Sequence, residues 1–271
     1  MTRIMKHDAP TPSLLHLDAS VSPAGESVSR QLTALFADSW RERYGDTPCG
    51  YRYRDLAAEP VPLVTAAYAR FGYWVERHGT VAADQVAALV RDAEDERVWR
   101  TTLPLVEEVL AADVLLLGVP MYNLTVPAAL MAWIDRVSFP GALLDPGTGD
   151  SLLRDKHVVV VGARGGGYGP GAPRAGLDFQ VPYLRGYFTD RGVPAQQLHF
   201  VTAELTRAGD VPRMAPLRPQ AARSLAAARE AVTELAARLA APTGARGAAG
   251  EAASKPWTAD DNQGRPVTGT A

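Results

Sequence analysis

Cysteine is almost missing: Cys49, in a Pro-Cys-Gly turn, is the only one in 271 residues. One thiol excludes an intrachain disulfide framework and a thiolate metal site, and with no partner near it in sequence it reads as incidental. Histidine is scarce as well. The five, at positions 7, 16, 78, 157 and 199, include no pair at i, i+4 spacing, so no metal site is expected. Neither sign of charge is in large surplus. Lys and Arg number 28 against 30 Asp and Glu, a formal net charge of -2, which removes the basic footprint of a nucleic-acid or acidic-membrane binder. No apolar run exceeds strand length, and residues 1–12 are polar with Pro10 and Pro12, so neither a membrane span nor a signal peptide is expected. These absences leave a cytoplasmic protein with a small-molecule partner. Its length and 46% hydrophobic content suffice for a sizeable core.

What is present centres on Val114-Leu115-Leu116-Leu117-Gly118-Val119-Pro120-Met121-Tyr122-Asn123. A continuous apolar run without alternation predicts a strand buried on both faces, as in the middle of a parallel sheet. Open α/β sheets bind ligands just outside the carboxyl ends of such strands, which makes Met121, Tyr122 and Asn123 candidates to rest against a flat cofactor.

A first strand is expected over Ser13–Ala19, followed by Ser20-Val21-Ser22-Pro23-Ala24-Gly25-Glu26-Ser27-Val28-Ser29-Arg30. Apolar residues at 28, 32, 35, 36 and 40 predict a helix beginning near Ser27. Strand, serine-rich loop and helix N-terminus form an anion site, because the first helical N–H groups lack internal acceptors and the hydroxyls can donate. The same pattern also suits plain N-capping by Ser27. The loop lacks Gly-Lys-Ser/Thr and is not a Gly-x-Gly-x-x-Gly fingerprint, so a phosphate monoester suits it better than a nucleoside triphosphate or a dinucleotide.

Tyr51–Leu56 alternates and predicts an edge strand. Residues 60–112 form an aromatic-rich helical connection, with Tyr68, Phe71, Tyr73 and Trp74 able to cap a cleft, bury an interface or pack a satellite helix. From Ala82 to Ala112 two helices are expected, with Pro104 breaking the pattern and a restart near Thr102. A helix follows from Val126 with Pro127 at its start. His157–Ala163 predicts another buried strand, ending in Arg164-Gly165-Gly166-Gly167-Tyr168-Gly169, where glycines permit close backbone approach. Residues 174–191 predict a helix with Leu177, Val181, Leu184 and Phe188 inward. Leu198–Val201 predicts the last strand and Arg218–Ala240 the last helix. Residues 1–12 read as a flexible arm, 13–240 as the domain, and 241–271 as a disordered tail. Five strands alternating with helices define a doubly wound α/β fold with a five-stranded parallel sheet, in the flavodoxin-like order 2-1-3-4-5.

On these motifs the chain from about Ser13 to Ala240 resembles the flavodoxin-like, FMN-dependent NAD(P)H quinone reductases and azoreductases. The resemblance implies FMN as cofactor, NADH or NADPH as electron donor, a quinone, azo or similar electron-poor acceptor, and a homodimer with flavin at the subunit interface. It assigns the FMN phosphate to Ser22, Ser27 and Ser29. The ring edge falls to Pro120, Met121, Tyr122, Asn123 and Leu124, and the second flavin loop to Ala163, Arg164, Gly165 and Gly166. It implies hydride transfer through flavin N5, with Tyr122 and Asn123 orienting the ring and Arg164 facing its O2 side, where negative charge accumulates on reduction. Three departures are visible: Leu124 stands where phenylalanine is common, Ala163 where serine is common, and Ala142-Leu143-Leu144-Asp145 where aromatics are common. The missing aromatics and the aromatic group at 68–74 motivate another reading, a dedicated redox enzyme of a biosynthetic pathway, and a non-catalytic binding protein of the same fold is a further alternative.

Overall fold

A computed structural model describes residues 11–47 and 50–240. Cys49, most of the expected N-terminal arm and the expected tail lie outside the described residues.

Five strands, β1 (Leu14–Asp18), β2 (Tyr51–Asp55), β3 (Val114–Pro120), β4 (His157–Ala163) and β5 (Leu198–Ala203), form one sheet in the order β2-β1-β3-β4-β5. Every pairing is parallel, so each connection is a crossover and all five carboxyl ends fall on one edge. All seven residues of β3 are buried, whereas no residue of β2, at the sheet edge, is fully buried.

Strand alternation sorts the core into two layers. Leu14, Leu116, Val159, Val161, Val201 and Ala203 pack with α1 (Val28–Tyr44) and α6 (Arg218–Leu239). Leu15, Leu17, Leu115, Leu117, Val119, Val158 and Val160 face the other layer. That layer contains α2 (Ala66–Glu76), α3 (Ala93–Ala111), α4 (Ala128–Val137) and α5 (Gln180–Asp190). Phe71, Trp99 and Phe139 meet there with ring centroids 5.0 to 5.5 Å apart.

Pro104 does not break the chain into two helices. Residues Ala83–Leu89 form a 3-10 segment, and α3 then runs unbroken through Pro104. The helix starts at Asp92, whose carboxylate accepts the N–H groups of Glu94 and Asp95 at 2.9 Å, with acidic Glu94, Asp95 and Glu96 at the positive end of the helix. Proline removes one N–H, but burial of Val98, Trp99, Leu105, Val106 and Val109 along one face outweighs that loss.

The expected helix over 174–191 is also shorter. Only Ala175–Leu177 forms a 3-10 turn before α5 begins at Gln180. Leu177 is exposed, while Leu184 and Phe188 are buried as expected. The interruption is Asp178, whose Oδ1 accepts the N–H groups of Gln180 and Val181 at 3.1 and 3.2 Å and so caps α5. Of the aromatic group in the 60–112 connection, Phe71 is fully buried and Tyr73 is exposed. Tyr68 and Trp74 donate to the carbonyls of Asp135 and Leu89 at 2.7 and 3.1 Å. Packing of a satellite helix therefore accounts for all but Tyr73.

Candidate functional site

The parallel sheet brings the serine loop after β1, the turn after β3 and the glycine loop after β4 to the same edge. Hydrogen bonds tie them together. Ala19 N–H donates to Gly118 carbonyl at 2.9 Å, and Met121 N–H to Ala163 carbonyl at 2.8 Å. Val21 N–H donates to the Tyr122 hydroxyl at 3.2 Å.

In the serine loop, Ser27 caps α1, its Oγ accepting the Arg30 N–H at 3.4 Å. Ser29 is enclosed, its hydroxyl 3.2 Å from that of Ser27, and Ser22 is half-buried. The N–H groups of Val28 and Ser29 have no acceptor among the described residues, as in the first turn of any helix, and such groups can bind an anion. Beneath the loop, Arg30 donates to Ser20 carbonyl at 2.6 Å, Asp55 Oδ1 at 2.8 Å and the Tyr53 hydroxyl at 2.8 Å. Hydrogen bonding to Asp55 raises the Arg30 pKa. Buried Asp18 accepts from Thr33 at 3.0 Å and from Tyr53 at 3.2 Å. Burial pushes the Tyr53 phenol above its ordinary value, keeping it a neutral donor.

Asp18 fits because its neighbour in the sheet is Gly118. A Cβ there would stand 2.1 Å from Asp18 Oδ1. This polar layer was missed in the sequence, although His16 and Asp18, two apart in an otherwise apolar strand, carried its signal: both must face the same side.

After Pro120 and Met121 the chain reverses. Tyr122 and Thr125 exchange N–H to carbonyl hydrogen bonds at 3.1 and 3.0 Å, with Asn123 at φ 46° and Leu124 at φ 72° between them. Two successive left-handed non-glycine residues are costly and concentrate where a site needs a defined backbone shape. Leu124 carbonyl accepts the Phe179 N–H at 3.2 Å. The Asn123 side chain is exposed and has no partner among the described residues.

Arg164 is placed differently from the expectation that its cation faces a ligand. Its side chain is 4% exposed and lies between two carboxylates, 2.8 Å from Asp178 and 3.3 Å from Glu204. Glu204 also accepts the N–H groups of Tyr168 and Gly169 at 3.0 and 3.3 Å, and Asp178 caps α5. Arg164 therefore ties both ends of the 165–178 loop. The loop leaves backbone donors over: Gly165, Gly166 and Gly167 N–H groups have no acceptor among the described residues. Neither carboxylate was foreseen, since both partners are distant from Arg164 in sequence.

The rim thus offers unpaired amides at α1 for a phosphate, a rigid aromatic and amide turn, and unpaired amides on a glycine loop for carbonyl acceptors. A phosphorylated planar heterocycle is chemically compatible with that donor set. A cleft of about 260 Å³ lined in part by Ser138, Leu143, Ser151 and Arg191 contains none of these residues. Among the described residues no group of three or more His, Cys, Asp or Glu could hold a metal ion.

Sheet order and site location define an α/β nucleotide-type fold with its site at the carboxyl edge. The chain belongs to the flavodoxin-like fold family, which it matches over residues 12–240. It is 44% identical over 210 residues to a protein of Nocardia farcinica (strain IFM 10152) named FMN-dependent NADH:quinone oxidoreductase, covering 77% of this chain and 90% of that one. A Streptomyces coelicolor (strain ATCC BAA-471 / A3(2) / M145) protein of the same name is 39% identical over 208 residues, 76% of this chain and 86% of the relative. In structure the chain is similar to an azoreductase from Bacillus anthracis str. Sterne, with a TM-score of 0.68 and 22% identity over 84% of this chain and 99% of that one.

Proposed function

We propose that the protein is an FMN-dependent NAD(P)H oxidoreductase that reduces quinones, azo compounds or similar electron-poor acceptors. The observation carrying this reading is the convergence of unpaired amides at Val28 and Ser29, the Tyr122–Thr125 turn and the unpaired amides of Gly165 and Gly166 on one rim. The relatives named FMN-dependent NADH:quinone oxidoreductase support it and favour NADH as donor.

FMN, when bound, supplies the centre that takes up and passes on hydride. Ser22, Ser27 and the N–H groups of Val28 and Ser29 would hold the phosphate, with the positive end of α1 behind them. Pro120, Met121, Tyr122, Asn123 and Leu124 lie along the ring edge, and the left-handed turn holds the Asn123 amide in place. Ala163 contributes backbone only. Gly165 and Gly166 N–H groups would be available to the carbonyls of the pyrimidine edge, where preorganised amides would stabilise negative charge without rearranging. Arg164 acts through the loop it fixes. The carboxylates at the glycine loop, Asp178 and Glu204, are engaged by Arg164, so solvent would supply the protons.

The homodimer expected from the resemblance is supported by exposed Val21 and Phe179, which flank the rim and would be covered by a second copy. A reducing, cytoplasmic setting is proposed on the strength of a single cysteine and a reaction that consumes reduced nicotinamide. The domain is proposed to span 13–240.

The test is an absorption spectrum of the purified protein. A band at ~450 nm, present on isolation or gained with added FMN and bleached by NADH, is the expected result. Protein that stays colourless with excess FMN refutes the reading and favours a non-catalytic role.

A further inference from the structure

A second cationic region lies beside the glycine loop, away from the phosphate end of the site. Arg207 reaches it first. Its segment is held against the glycine loop by Leu205 N–H to Gly166 carbonyl at 3.1 Å and Thr206 N–H to Arg164 carbonyl at 3.0 Å. Its stem covers Gly165 so closely that a Cβ there would be 2.8 Å from Arg207 Cδ. Leu205, at φ 60° and buried, fixes the bend that delivers it. Arg218 donates to the carbonyls of Ala208 and Gly209 at 3.3 and 3.0 Å, bringing a second guanidinium to the same segment. Arg174 lies 3.4 Å from the hydroxyl of Tyr168 in the same loop.

All three arginines are exposed, and none forms an ion pair among the described residues. Arg164, by contrast, is paired twice. From Leu205 to Arg218 the chain carries three arginines, at 207, 213 and 218, against one acid, Asp210. Unpaired guanidinium groups recognise phosphate by parallel N–H donors and draw anions from solution. The FMN phosphate is assigned to the serine loop after β1, whereas these groups stand past the glycine loop after β4. They therefore answer to an anion of a different ligand.

We propose that Arg207, supported by Arg174 and Arg218, forms a subsite for the diphosphate of the dinucleotide donor. The inference rests on the proposed function, in which a reduced nicotinamide dinucleotide must lie over the ring while its charged portion extends beyond the rim. The diphosphate is common to NADH and NADPH, so the subsite serves either. The aliphatic stem of Arg207 forms the wall beside Gly165, and only its head group reaches the donor.

The test uses FMN-loaded protein, wild type and Arg207→Gln, with Arg174→Gln as a second variant. Calorimetric titration with NAD+ should show the dissociation constant rising about five- to tenfold in Arg207→Gln, and less in Arg174→Gln. Steady-state assays should show kcat/KM for NADH, divided by kcat/KM for an uncharged N-alkyl dihydronicotinamide, falling by a similar factor. The salt dependence of the NADH reaction should become shallower. Unchanged NAD+ affinity, or an equal loss with both donors, overturns the proposal. A loss confined to a sulfonated quinone, with NADH unaffected, also overturns it and assigns the arginines to the acceptor. Failure of the wild type to bind FMN refutes the proposed function instead, which separates the two outcomes.

Discussion

The hydroxyl of Tyr122 accepts the backbone N–H of Val21 at 3.2 Å, joining loops that are a hundred residues apart. Through this bond the turn that would carry the flavin ring is registered against the loop that would carry its phosphate. Tyr122→Phe removes the acceptor while keeping the ring. A neutral hydrogen bond is worth about 1 kcal/mol net, so FMN affinity should fall about fivefold, with little change in melting temperature. Titration of FMN fluorescence against the two proteins checks this. Unaltered affinity would show that the two loops hold their places without the bond.

Gly118 and Asp18 are opposite one another in adjacent strands, and the strand has room for that carboxylate because position 118 carries no side chain. In Gly118→Ala the methyl group would displace Asp18 from Thr33 and Tyr53, disturbing a buried hydrogen-bonded layer. A loss of about 2–4 kcal/mol in unfolding free energy is expected, measured by urea denaturation. Recovery in the double variant Gly118→Ala, Asp18→Ala would show that the clash, and not sheet propensity, is responsible.

His157 Nδ1 and His199 Nε2 lie 3.2 Å apart near the amino ends of β4 and β5, on the sheet edge opposite the site. Burial, then the neighbouring His157 and Arg238, lower the His199 pKa to about 4 from 6.5. The unfolded chain binds this proton more readily than the folded one, so stability should be complete above pH 6.5 and be lost progressively as pH falls toward 4. Denaturation midpoints recorded across this window should drop for the wild type and drop less for His199→Gln. Parallel curves for the two proteins would remove His199 from the acid response.

How much was legible in the sequence differs from residue to residue. The fully apolar β3 and β4 announced a buried parallel sheet, and their order followed from the alternation with helices. Ser27 was visible as a cap because capping is a local property of a few residues. Pro104 misled, because a local breaking tendency was overridden by burial of five neighbours that only the packed helix brings to one face. Asp178 interrupted the helix expected over 174–191 for the converse reason: its side chain caps α5, a choice that periodicity does not register.

The strand pattern, the serine loop and the glycine loop were determined by the polypeptide itself, since hydrogen-bonding capacity and backbone freedom belong to short stretches of residues. Tertiary structure alone decided which charges are free. Arg164 looked available and is held by Asp178 and Glu204, while Arg207, unremarked in the sequence, is brought to Gly165 without an ion pair among the described residues. The reason is physical: a charge interacts with whatever lies within a few ångströms, and the folded sheet, with its crossovers, chooses those neighbours from distant parts of the chain.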